Sequence, residues 1–268
     1  MGPLPPYFAF WAKSCEANKD DFHWFVYSDQ IESQTSVNPA VTLIPYHFGK
    51  MIADFKNYLD IDISDGNPRR ICDFRLLFYY FRRDQEQLDR FGFIGYTDMD
   101  MIYGRLDRFM PPDMDRYTMI SADTGHPCGP FTLMRIDRVR TLGDNDIVRA
   151  EMSRQCHRSF DESEELLKIV SNGDAYWCRA GSLQPMMVAP FNYRQIFSIW
   201  NNGDVTVYDN RGHKRDAGFH HFSRYKNRKS FKICNDALSS PIWAVCKKGI
   251  FPVRSNWTRV KLWMSLIL

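Results

Sequence analysis

A chain of 268 residues, 44% hydrophobic and 25% charged, can bury a sizeable core and has the composition of an ordinary globular protein. A net charge of +3 is too small to mark a nucleic-acid-binding protein, although Arg211 to Lys232 is locally basic. No run approaches the roughly 20 apolar residues of a membrane span, and the seven cysteines include no CxxC pair, which argues against a zinc knuckle or a full disulfide framework.

The start, MGPLPPYFAFW, lacks the regions of a signal peptide, so a cytoplasmic or membrane-peripheral setting is expected. In chain order, Phe8, Trp11, Ala12 and Cys15 predict a short helix over Phe8 to Asn18. Phe22 to Tyr27 and Val41 to Ile44 read as strands, and Phe48 to Tyr58 as a helix. A polar loop over Asp60 to Pro68 follows, and then one helix from Ile71 to Leu88 with Ile71, Phe74, Leu77, Phe78 and Phe81 on its face.

Phe91 to Tyr96 is an apolar run too short for a helix and reads as a buried strand. It ends in Asp98 and Asp100, whose spacing places both carboxylates on one side if the extended geometry persists. In an open α/β sheet that end of a strand is where ligands sit, and two hard oxygen ligands there suit Mg²⁺ or Mn²⁺. The same spacing at Asp60/Asp62, Asp113/Asp115 and Asp144/Asp146 lacks this context and reads as solvated turns; a strand-end pair can also cap the next helix.

Strands follow at Tyr117 to Ser121 and Phe131 to Arg135, and helices at Asp144 to Cys156 and Asp161 to Val170. Ile196 to Trp200 and Val205 to Tyr208 flank Asn201-Asn202-Gly203-Asp204, a hairpin signal. The tail carrying Trp243, Phe251, Trp257 and Trp263 is apolar without clear period. Strand alternating with helix predicts an α/β fold with crossover connections.

Four motifs occur in order: Trp11-x-Lys13-Ser14-Cys15, Arg70-Ile71-Cys72-Asp73-Phe74-Arg75, Tyr96-Thr97-Asp98-Met99-Asp100-Met101-Ile102-Tyr103-Gly104, and Gly129-Pro130-Phe131-Thr132-Leu133-Met134-Arg135. Together they resemble a family of GT-A-type glycosyltransferases associated with polysaccharide biosynthesis, and more distantly the glycogenin-like sugar transferases. The resemblance runs through most of residues 2 to 226. It implies a GT-A-like Rossmann-type mixed sheet flanked by helices over 1–232, with the hairpin near its C-terminal end; the irregular tail, 233–268, is expected as a C-terminal extension packed on the same domain.

The activity it implies is metal-dependent transfer of a sugar from a nucleotide diphospho-sugar donor to a glycan or polysaccharide hydroxyl. Asp98 and Asp100 match the family's Mn²⁺- or Mg²⁺-binding motif, and His221, in Phe219-His220-His221-Phe222, resembles its distant histidine ligand, with His220 in reserve. Arg75, Asp73, Arg224 and Lys226 stand where donor-binding groups are expected, as does Asp29 at the end of the early strand. The other readings are a helix-surface salt bridge for Arg75 and Asp73, and a turn former for Asp29.

Phe160-Asp161-Glu162 also matches a family motif: Asp161 or Glu162 would take the acceptor proton, or else would cap a helix. The sequence departs from the family twice. Met1 directly precedes Gly2-Pro3-Leu4-Pro5-Pro6-Tyr7-Phe8 where members carry an apolar first strand, and Pro130 stands where they show His. A missing central strand would expose neighbouring strand edges and weaken donor binding; either the start is assigned too late, or the alternative holds of a non-catalytic protein that binds a sugar nucleotide or glycan.

Overall fold

Apolar residues at helical spacing build α1 (Phe8–Glu16), which buries Phe10, Trp11, Ala12 and Cys15. A computed structural model describes this helix within residues 3–63, 70–122, 125–154, 156–171, 173–177, 187–188, 197–209 and 213–253. Next come β1 (Trp24–Ser28), β2 (Thr35–Asn38) and β3 (Val41–Pro45). They form a sheet in the order β1-β3-β2, with β1 parallel and β2 antiparallel to β3. β2 was not expected, because an exposed edge strand needs no apolar alternation.

α2 (Phe48–Leu59) forms where the spacing placed it and ends at Asp60 in the left-handed region, with φ of 53°. Of the polar segment after it, residues 64–69 lie outside the described residues. The single helix expected over Ile71 to Leu88 is instead α3 (Ile71–Phe74), a 3₁₀ turn at Arg75–Leu77 and α4 (Phe78–Arg82), with another 3₁₀ turn at Leu88–Arg90. A straight amphipathic helix covers one stripe, whereas nearly every residue from Asp73 to Phe81 is covered here. The tighter turn lets Leu76, Leu77 and Phe78 enter the core while Arg75 faces the acidic loop.

The acidic strand is β4 (Phe93–Thr97). It is not buried on both faces as expected: only Tyr96 is buried, and β4 has a single ladder neighbour among the described residues. That neighbour, β7 (Phe131–Arg135), continues to β6 (Met119–Ser121), so the strands at 93–97, 119–121 and 131–135 form one antiparallel run. Between them lies β5 (Met101–Tyr103).

Three short helices follow: α5 (Ile136–Val139), α6 (Asp146–Met152) and α7 (Glu164–Val170). Asn145 caps α6, and Ser163 caps α7 by accepting from Leu166 N at 3.1 Å. Asp161 and Glu162 therefore do not cap α7; they sit on the 3₁₀ turn before it. β8 (Ala175–Trp177) then adds parallel to β6, giving the order β4-β7-β6-β8.

The later chain contributes β9 (Met187–Val188), β10 (Phe197–Asn201), β11 (Asp204–Tyr208), β12 (Lys214–Ala217), β13 (Phe219–His221), β14 (Lys232–Ile233), β15 (Ile242–Cys246) and β16 (Gly249–Pro252). β10 and β11 form the expected hairpin, turning at Asn202 and Gly203 with φ of 47° and 98°, the positive values a two-residue turn requires. This hairpin heads a six-stranded sheet, β12-β11-β10-β15-β16-β14, and the tail residues Trp243 and Phe251 lie within it. Trp257 and Trp263 lie outside the described residues. A fourth sheet, β5-β13-β9, is mixed.

The protein is thus mixed α/β, with several helices and, among the described residues, small mixed and antiparallel sheets. α1 joins the parts: Trp11 packs in a core with Trp24, Met101 and Phe131, while Phe10 packs against Trp243 at 4.7 Å between ring centres. Among the described residues no helix is long and apolar enough to cross a membrane.

Candidate metal centre

Backbone register assembles the site. Asp98 follows β4 directly, its N–H donating to Pro130 O at 3.2 Å, and Asp100 precedes β5. β5 pairs antiparallel with β13 so that Met101 faces His221, and Phe222 N donates to Asp100 O at 3.0 Å. His221 is thereby brought beside the two aspartates although more than a hundred residues separate them. The turn after Phe222 returns Lys226 to the same point, its ammonium 2.8 Å from Asp100 Oδ2.

His221 Nε2 lies 3.4 Å from Asp100 Oδ1 and 3.6 Å from Asp98 Oδ2. It is buried and has no hydrogen-bond partner among the described residues. One ligand atom from each of Asp98, Asp100 and His221 lies within 4.8 Å of the others. Two carboxylate oxygens and an imidazole nitrogen grouped in this way could hold a metal ion. His220 faces the other way, bonded to Ser198 Oγ and Tyr225 OH.

The side chain of Asp98 is 33% exposed and that of Asp100 is 4% exposed. Burial raises the Asp98 carboxyl against the pull of the Arg75 guanidinium. Burial also works to raise Asp100, but His221 and Lys226 hold it down at about 2. Arg75 bridges two acids, with Nη1 2.8 Å from Asp98 Oδ1 and Nη2 on Asp161 Oδ2. It lies over the Tyr96 ring at 4.5 Å, and the Tyr96 hydroxyl donates to the Asp161 carbonyl. Three carboxylates facing two fixed cations leave a deficit of positive charge that a divalent ion would reverse.

The remaining residues fall in different places. Asp73 is committed to the loop before Asp161: its carboxylate accepts from Phe160 N at 2.7 Å and Arg158 N at 3.1 Å and meets His157 Nδ1 at 3.0 Å. It positions that turn. Glu162 Oε1 accepts from Gly129 N at 2.8 Å, so close that a Cβ at 129 would fall 2.1 Å from it. Asp29 stands at the end of β1, outside the group, with a hydrogen bond from Gln30. Arg224 is exposed on the turn between Phe222 and Lys226.

Sequence reasoning missed Tyr7. Buried at the start of α1, its hydroxyl is raised by burial and by Asp100 and Asp98, and is eased by Lys226. The only signal was its place in the Pro-rich segment before α1. The other three Asp-x-Asp pairs are exposed, as expected. The rings of Phe219, Phe222 and Tyr225, in the basic stretch, are fully buried. No curated protein and no solved structure matches this chain. The ordered series of motifs nonetheless lies within one matched span, residues 1–248, and by that match the chain belongs to a family of unknown function, DUF6625.

Proposed function

We propose that the protein is a metal-dependent glycosyltransferase that moves a sugar from a nucleotide diphospho-sugar to a hydroxyl of a glycan or polysaccharide, on a GT-A-like arrangement of β4 and its acidic loop. The observation that carries this reading is the buried His221 Nε2, left without a hydrogen bond between Asp98 and Asp100. These three residues would hold Mn²⁺ or Mg²⁺, which supplies positive charge opposite a diphosphate leaving group. Lys226 and Arg75 flank the acids and are placed to offset the remaining phosphate charge as the sugar departs. The Tyr7 hydroxyl interacts with the Lys226 ammonium.

The experiment is a thermal-shift titration with manganese in the presence of a uridine or guanosine diphosphate. A ligand bound only by the folded chain raises the melting midpoint by mass action, by about 2.7 kcal/mol of stability at a hundredfold excess over Kd. Asp98→Asn combined with Asp100→Asn is expected to abolish the shift, and an unchanged shift places the metal elsewhere. One observation favours a second reading, binding of a sugar nucleotide or glycan without turnover: Asp161 is held by Arg75 and Glu162 by Gly129, so both candidate bases are engaged. Donor-dependent stabilisation without hydrolysis or transfer, across a panel of nucleotide sugars, would select it.

A further inference from the structure

β1 and β4 are both sheet edges. Each is five residues long, each has one ladder neighbour among the described residues, and both line one cavity of about 460 Å³. The cavity walls include Trp24 to Tyr27 from one edge and Phe93 to Asp98 from the other. Trp11 also lines it, and the buried indole N–H of Trp11 has no acceptor among the described residues. A strand edge carries a row of backbone donors and acceptors that stays unpaired until another strand meets it.

Two such edges on one aromatic-lined cavity offer main-chain hydrogen bonding from two sheets to a strand that enters it. Besides the side chains of Asp21, His23, Arg75 and Asp98, the polar groups along the cavity include these two rows of backbone. The geometry points to a strand-insertion site: an extended apolar peptide of five to six residues enters between β1 and β4, pairs with both, and merges the three-stranded and four-stranded sheets into one. Apolar side chains on both faces of the inserted strand suit it, because a strand central in a sheet is covered on both sides. An acceptor on the inserted backbone would satisfy Trp11 Nε1.

The test uses the whole chain and an acetylated, amidated Lys-Val-Ile-Val-Ile-Lys peptide, read by tryptophan fluorescence and by amide hydrogen exchange. Saturable binding is expected, with new protection in both 24–28 and 93–97. Alternate backbone amides of a strand point to opposite edges, so two control peptides are N-methylated on one edge or on the other. Each is expected to bind about tenfold more weakly or worse, since each loses the hydrogen bonds to one sheet. Sensitivity to only one methylation pattern overturns the proposal in favour of simple edge addition. Insensitivity to both means that side chains alone fill the cavity, and overturns it too. So does the absence of saturable binding, or full protection of both segments before any peptide is added, which would mean that the slot is already filled.

Discussion

The neighbouring histidines His220 and His221 show how one residue step on a strand separates two roles. His221 faces two carboxylates, and His220 is enclosed between Ser198 and Tyr225. His221→Ala is expected to weaken manganese binding at least about tenfold by thermal shift, and His220→Ala to lower stability without that selective loss. Equal manganese responses in the two variants would remove His221 from the site. Burial pushes His220 down to about 3, against about 6.5 in an unfolded chain. Between those values the unfolded chain binds a proton that the folded chain refuses, so the contribution is whole above about pH 6.5 and is lost as pH falls, by at most about 1.4 kcal/mol per pH unit. His220→Gln is expected to flatten the fall in urea midpoint between about pH 7 and about pH 5. A slope identical to that of the parent would refute the assignment.

At the scale of elements, the acidic loop owes its shape to neighbours distant in sequence. The turn carrying Asp161 is clamped by Asp73, which accepts two backbone N–H groups and meets His157. Asp73→Ala leaves the N–H groups of Arg158 and Phe160 without their acceptor, and a cost of about 2 to 4 kcal/mol in urea unfolding is expected. Because the Asp161 that pairs with Arg75 then loosens, donor-dependent stabilisation should fall as well. A variant destabilised by less than about 1 kcal/mol would show that the turn holds itself. Gly203 has a comparable role in the hairpin: with φ of 98° and a prospective Cβ 2.8 Å from Ala17, Gly203→Ala is expected to cost more than about 1 kcal/mol.

Across the whole molecule, α1 holds the two halves to each other, since Phe10 belongs to the core of the six-stranded sheet and Trp11 to the core beneath the acidic loop. Strands from before and after residue 232 share that six-stranded sheet, with β14, β15 and β16 continuing from β10 to β12. Trp243, fully buried against Phe10 and Trp200, should therefore matter to the entire fold. Trp243→Ala is expected to lower stability by about 3 to 5 kcal/mol while unfolding stays a single transition by fluorescence and circular dichroism. Two separated transitions would show that the C-terminal sheet melts by itself.

Periodicity was enough to locate α1, β1, β3, α2 and the β10–β11 hairpin, because a buried face writes its spacing into consecutive residues whatever covers it. It also separated Asp98 and Asp100 from three look-alike pairs, since only that pair follows an apolar strand. What local pattern does not carry is the identity of the covering partner. The break at Arg75, the clamping of Asp161 by Asp73 and the approach of Tyr7 to Lys226 depend on side chains that meet only after the chain has folded. The same holds for the division into four sheets: an apolar five-residue strand looks alike whether its second edge is paired or, as in β1 and β4, borders a cavity. Only the tertiary structure decides which, because edge pairing is a contact between strands and is not a property of either one.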